Sequence, residues 1–188
     1  GMIPDDLGLL TALTWLGLYI NSLNGTIPDD LGLLTELTYL GLDINALDGT
    51  IPSSLGLLTA LGSLGLSINS LDGTIPDDLG LLTELTYLGL YSNAFTGTIP
   101  SSLGQLTVLQ TLVLLNNSLI GTIPSEMSNL SNITNAFFHN TNLTGVMPLC
   151  SLNKTFVELV ADCLEVDCPC CTHCCPSAFN GIPLYYHC

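Results

Sequence analysis

The residues best equipped for chemistry in this chain are its eight cysteines, all of which fall between positions 150 and 188. Cys150, Cys163, Cys168, Cys170, Cys171, Cys174, Cys175 and Cys188 form an even set, partly in vicinal pairs, with Pro169 and Pro176 among them. Two chemistries use cysteines at this density: disulfide bonding in an oxidising compartment, or thiolate ligation of zinc, to which His173 would add an imidazole. Vicinal pairs beside prolines suit a stapled cap better than a tetrahedral metal site. All eight are therefore expected in disulfides, in a pairing left open because eight cysteines allow 105 connectivities. N-x-S/T triplets at Asn24, Asn116, Asn129, Asn132, Asn142 and Asn153 are candidate glycosylation sites and agree with a secreted, extracellular chain.

Catalytic chemistry finds little support. His139 and His187 stand in no recognisable serine or cysteine nucleophile motif, and the Leu-Gly-Leu-Leu segments are not a phosphate-binding glycine loop. The pairs Asp5-Asp6, Asp29-Asp30 and Asp77-Asp78 form a carboxylate column that Ser53-Ser54 and Ser101-Ser102 interrupt. Calcium takes about six to eight oxygens, so capping of short helical turns is the better reading of these pairs. No enzyme activity, no cofactor and no resident metal is expected.

Charge narrows the partners. Lys154 is the single basic residue against 16 acidic ones, for a net charge of −15. Phosphate backbones and anionic membrane surfaces need a basic stripe, so no nucleic-acid and no membrane-surface role is expected. Only 9% of residues are charged and 47% are hydrophobic, so the chain must bury a core. No apolar run approaches the roughly 20 residues that span a bilayer. No signal peptide is visible, and Gly1-Met2-Ile3-Pro4 already matches Gly25-Thr26-Ile27-Pro28 in register.

What positions all these residues is a repeat. Glycine recurs at 1, 25, 49, 73, 97, 121 and 145, and proline at 4, 28, 52, 76, 100, 124 and 148. Asparagine recurs at 21, 45, 69, 93 and 117, and fails at Thr141. The period is 24 without an insertion, and the string GTIPDDLGLLTELTYLGL begins both at Gly25 and at Gly73. Leu16 and Leu18 are two apart, so on a strand both face one side, and stacked copies build a parallel sheet over a continuous core. Asn21 and its equivalents can bond backbone groups of their own and the adjacent coil. Gly25 permits the tight return, and Pro28 fixes φ at the start of a short helical turn.

Positions between and after the strand leucines face outward on the sheet side. One column reads Trp15, Tyr39, Ser63, Tyr87, Thr111 and Asn135, and the next reads Gly17, Gly41, Gly65, Gly89, Val113 and Phe137. Then come Tyr19, Asp43, Ser67, Tyr91, Leu115 and His139, with Ile20, Ile44, Ile68, Ser92, Asn116 and Asn140 in the column after them. Glycine in a strand weakens it and often marks close approach of another surface. Trp15, Tyr19, Tyr39, Tyr87, Tyr91, the four glycines and the three isoleucines thus outline an apolar docking face, unless duplication has merely copied one parent coil. Threonine columns (Thr26 to Thr122, and Thr11 to Thr107) are regular too, though threonine suits turns and strand edges in any such repeat.

The L-x-G-x-I-P segments, Leu23–Pro28, Leu47–Pro52, Leu71–Pro76, Phe95–Pro100 and Leu119–Pro124, make residues 1–148 resemble the plant-specific 24-residue class of leucine-rich repeats. The resemblance implies an α/β solenoid: a right-handed superhelix with a parallel concave sheet and short turns or 3-10 helices on the convex side. Members of the class are receptor-kinase ectodomains and secreted inhibitors of wall-degrading enzymes. Residues 149–188 are expected to form a disulfide-rich C-terminal cap, similar to caps of secreted repeat proteins from diatoms and related algae. The usual N-terminal cap, with its cysteine pair and tryptophan, has no counterpart here.

Three functions are expected on these grounds. The family implies extracellular recognition or adhesion through the concave face, with a protein or glycan partner. The uncapped first coil and scarcity of lysine at sheet edges raise self-assembly into a filament or matrix, with further copies of the chain as partner. The threonine arrays raise ice binding.

Overall fold

The computed structural model describes residues 1–152, 154–162 and 165–174. Its main sheet arises from the 24-residue spacing. Trp15–Gly17, Tyr39–Gly41, Ser63–Gly65, Tyr87–Gly89, Thr111–Val113 and Asn135–Phe137 each form a three-residue strand, paired in parallel with the next at equivalent positions. The central residue of each strand points inward: Leu40, Leu64, Leu88, Leu112 and Ala136 are fully buried. With them sit the leucines two positions on, from Leu42 to Leu114, and then Phe138.

The opposite wall consists of five-residue 3-10 turns at Asp5–Leu9, Asp29–Leu33, Ser53–Leu57, Asp77–Leu81, Ser101–Gln105, Ser125–Asn129 and Pro148–Leu152. Extended proline occupies the N-cap of the first six. The side-chain caps expected of the Asp-Asp and Ser-Ser pairs are not made. Those residues lie inside the turn, one or two places past the cap. The serines instead tie coils together, Ser54 Oγ donating to the Asp29 carbonyl at 2.8 Å and Ser102 Oγ to the Asp77 carbonyl at 2.7 Å. Adjacent turns approach so closely that a Cβ on Gly56 would lie 2.6 Å from the Asp78 carbonyl oxygen. This explains the glycine of each Leu-Gly-Leu-Leu.

Between the two walls runs the asparagine ladder. Asn45, Asn69, Asn93 and Asn117 each donate to carbonyls of their own and the preceding coil, and each accepts a backbone N–H from the preceding coil. At its end, the Thr141 hydroxyl donates to the Phe138 carbonyl, and buried Asp162 accepts the Thr141 N–H at 3.2 Å. A residue of the cap thus takes over part of the asparagine's work.

On a third side, the segments around each Thr form smaller parallel sheets: Asn24–Gly25, Ala46–Gly49 and Ser70–Leu71, then Ile120–Thr122, Asn142–Val146 and Val166–Asp167. Here each threonine methyl sits where the next coil's glycine lacks a side chain. A Cβ on Gly97 would lie 2.9 Å from Thr74 Cγ2, and Gly49, Gly73, Gly121 and Gly145 repeat the arrangement.

The main sheet passes the 148/149 junction without a break. Glu158–Ala161 pairs with Asn135–Phe137, and His173–Cys174 pairs with Glu158–Ala161. That makes eight strands among the described residues. Disulfides join Cys150 to Cys170 and Cys168 to Cys171, and Cys174 is disulfide-bonded as well. Cys150, Cys168 and Cys170 lie close enough for a metal, but these sulfurs are consumed in disulfides. Cys163, Cys175 and Cys188 lie outside the described residues. At the other end the core lies open: Leu10 is 54% exposed, whereas Leu34, its equivalent one coil on, is 0% exposed.

Candidate recognition surface

The strand column that begins at Trp15 places aromatic rings on the outer face of the sheet, each beside a glycine two residues later. Trp15 and Tyr39 stack with ring centroids 5.0 Å apart and planes within 8°, which is one coil of separation. Each ring lies over the glycine of its own strand. The Trp15 indole occupies the place of a Gly17 side chain, and Tyr39 Oη lies 2.6 Å from where a Gly41 Cβ would stand. Tyr87 repeats this over Gly89 at the same 2.6 Å. Ser63 carries no ring, and the space above Gly65 is filled by the Asp43 carboxylate from the preceding coil.

Above the four glycines therefore stand an indole, a phenol, a carboxylate and a phenol. Gly41, Gly65 and Gly89 are buried beneath them. The close approach that sequence associates with these glycines is made by the chain's own side chains. Those three glycines support the surface from below, while Gly17 is half-exposed.

The isoleucines lie at the rim. Ile20 is 67% exposed, Ile44 is 41% exposed and Ile68 is half-buried. All three adopt left-handed backbone, with φ of 55°, 56° and 53°. Ser92, Asn116 and Asn140 share that conformation in later coils. There the side chains offset part of its cost: Asn140 Nδ2 donates to Asn116 Oδ1 at 2.7 Å, and Asn116 Nδ2 to Ser92 Oγ at 3.1 Å. A β-branched residue here is strained by roughly 1–2 kcal/mol and has no such compensation.

Asp43 gives the surface its charge. Its Oδ1 accepts the Ser67 N–H at 2.9 Å, and burial raises its proton affinity above the usual carboxylate range despite that bond. The Ser67 hydroxyl is 0% exposed beside the same carboxylate and makes no hydrogen bond of good geometry. Burial, then the Asp43 charge, raises the phenol of Tyr39 and pushes that of Tyr87 up to about 12. Tyr19, exposed, and Tyr91, half-buried, flank the row. Sequence reading missed Asp43, because its role depends on reaching across to the next coil's glycine.

A second apolar column escaped it too. Leu9, Leu33, Leu57 and Leu81 are exposed on the 3-10 side, where Gln105 and Asn129 continue the column. The alternation of exposed and buried leucines inside Leu-Gly-Leu-Leu was the available signal.

The remaining candidates are scattered. Asn24, Asn129 and Asn142 are exposed. Asn132 is exposed but donates to the Thr107 carbonyl, and Asn116 is half-buried in the ladder just described, so a glycan there would replace native bonds. Asn153 lies outside the described residues, as does His187. His139 is half-buried near Asp162, and its Nδ1 has no partner among the described residues. Burial lowers its proton affinity, and the Asp162 charge opposes that shift only in part. His173 is exposed in the last strand.

Comparison with known proteins places this geometry. Residues 84–106 and 108–130 match the family model described as Leucine Rich Repeat. No curated protein matches the chain in sequence. Among solved structures, the ectodomain of the Arabidopsis receptor kinase HAESA, in complex with an N-terminally extended IDA peptide hormone ligand, is 38% identical. Its TM-score is 0.80, with 86% of this chain and 27% of that one covered. A chain of the Arabidopsis BIR3–SERK2 complex is 39% identical at a TM-score of 0.61, covering 69% of each. A plant ice-binding protein is 30% identical at a TM-score of 0.74, covering 86% of this chain and 52% of that one. The chain spans only 20% to 27% of the longest receptor ectodomains it resembles. No helix among the described residues is long and apolar enough to cross a membrane. With its 24-residue coils, parallel sheet and disulfide-bonded C-terminal end, the chain belongs to the leucine-rich-repeat family, in the form found in plant receptor ectodomains.

Proposed function

We propose that this chain is a non-catalytic, secreted recognition module that binds a protein partner across its sheet face. The observation that carries the reading is the aromatic row itself. Trp15 is 53% exposed and held in a stack by Tyr39, while the glycines beneath fix both rings. Rigid, half-exposed aromatics lose little freedom on binding and are typical interface anchors. The HAESA ectodomain, of the same fold, holds a peptide hormone. Disulfides in the cap accord with an extracellular setting. The test is to select binders from a random-peptide display library on the intact chain and map their footprints by hydrogen exchange. Protection centred on the strands from Trp15 to Gly89 supports the reading. Footprints confined to the 3-10 side or the cap count against it.

A second reading, ice binding, is favoured by the threonine methyls seated over glycines from Thr26 to Thr122 and by the likeness to the plant ice-binding protein. That seating fixes each side chain at one coil spacing. Thermal hysteresis of chilled solutions tests it, and none at millimolar protein would dismiss it.

A further inference from the structure

The aromatic row has one missing member. Trp15 and Tyr39 stack at 5.0 Å, Ser63 comes next with no ring, and Tyr87 then repeats the placement of Tyr39. Tyr39 and Tyr87 are two coils apart, roughly 10 Å at one sheet spacing per coil. One flat group inserted above Ser63 would lie about 5 Å from each ring, the separation that Trp15 and Tyr39 already adopt. At the inner end of this slot stands the Asp43 carboxylate, over Gly65 and between the two phenol hydroxyls. Beside it the buried Ser67 hydroxyl makes no hydrogen bond of good geometry.

Among the described residues no cation serves this carboxylate. The chain has one lysine and no arginine, and Lys154 donates to the Ser131 carbonyl and lies over Phe156, in the cap. A partly desolvated carboxylate at the inner end of a slot between two aromatic rings therefore calls for a planar cation brought by a partner. Guanidinium meets both demands: it stacks on aromatic faces and forks onto carboxylates, whereas ammonium is a compact, strongly hydrated point charge. The net charge of −15 likewise favours a cationic ligand.

We infer that the slot between Tyr39 and Tyr87, floored by Ser63 and closed by Asp43, is an arginine-binding subsite that anchors the protein partner. The inference rests on the recognition reading above and specifies its partner: a segment presenting an exposed arginine.

The selected peptides that footprint on the sheet face provide the test. They are expected to share an arginine, and its replacement by glutamine should weaken binding about tenfold or more, by lysine less. Asp43→Asn should cost a similar factor while keeping the fold, since the asparagine oxygen can still accept the Ser67 N–H. Ser63→Tyr puts a phenol into the slot and into the space that Asp43 holds over Gly65, so it should abolish the arginine preference while Trp15-dependent contact persists. Thermal unfolding of both variants checks their integrity. Sheet-face binders that need Trp15 and Tyr39 yet tolerate Asp43→Asn, Ser63→Tyr and arginine-to-glutamine replacement would overturn the arginine subsite and leave the recognition reading standing. Failure to recover any sheet-face binder would sink both.

Discussion

Removing the side chain of Asn69 should destabilise the chain several times more than removing that of Asn21, although the two stand at equivalent positions. Asn69 Nδ2 donates to the Leu42 and Leu66 carbonyls at 3.1 Å and to that of Ser67 at 3.3 Å, and Oδ1 accepts the Leu47 N–H at 3.1 Å. Two amide hydrogens shared among three carbonyls, plus one accepted bond, amount to about three net hydrogen bonds. At about 1 kcal/mol each, Asn69→Ala should cost about 3 kcal/mol, with the Leu47 N–H left without its acceptor. In this structure the exposed amide of Asn21 reaches only the Leu18 and Tyr19 carbonyls of its own coil, which water can serve instead. Asn21→Ala should cost about 0.5–1 kcal/mol. Urea denaturation monitored by circular dichroism measures both, with unchanged m-values required so that the coils still unfold together. For a chain of this size, 3 kcal/mol corresponds to a fall in Tm of about 6–12 °C. Equal losses at the two positions would refute the premise that inter-coil bonding by the ladder holds the stack together.

Ile20→Asn should raise stability by about 0.5–1 kcal/mol. Relief of left-handed strain exceeds the little burial that a 67% exposed side chain gives up, and a fall in the urea midpoint would contradict this. Gly41→Ala should displace the Tyr39 ring, whose hydroxyl end can swing outward, and change Trp15 fluorescence with a cost near 1 kcal/mol or less. Gly56→Ala drives its methyl onto the Asp78 backbone and should cost about 2–3 kcal/mol, so equal effects of the two would argue against the packing described. Tyr87 should be a late-ionising phenol in an alkaline absorbance titration, near pH 12. Asp43→Asn should lower its pKa only in part, because burial is the larger cause. A Tyr87→Phe variant whose titration curve loses no late step would contradict that assignment.

The period of 24 made most of this architecture legible. Leu16, Leu18 and their copies gave the sheet and core, Pro28 the start of the turns, and Asn45 to Asn117 the ladder. Those features depend on residue type within a single coil, and the pattern states them directly. What escaped depends on one coil leaning on another. The pairing of Asp43 with Gly65, the seating of Thr74 over Gly97 and the handover from Asn117 to Asp162 are contacts between different repeats, which the pattern within one coil does not state. The left-handed backbone at Ile20, Ile44 and Ile68 was hidden because side-chain type there argues against it. Only Asn116 and Asn140 in the same column hinted at it. Disulfide pairing was beyond reach, since spacing does not choose among partners.

The near-identity of the early coils has a kinetic side. A chain that pairs one coil out of frame, shifted by 24 residues, places leucine against leucine and asparagine against asparagine almost throughout the first four coils. Such a slipped stack forfeits little more than one terminal coil, so the early repeats alone define their mutual frame poorly. The later coils break this degeneracy. Phe95, Met127, Ala136 and Phe138 are fully or almost fully buried at positions that hold leucine elsewhere, so a slip there sets side chains of different volume against each other. Cys150–Cys170 then locks the final frame covalently. Faithful folding of this solenoid is therefore decided at its irregular C-terminal end, from which the repetitive coils take their count.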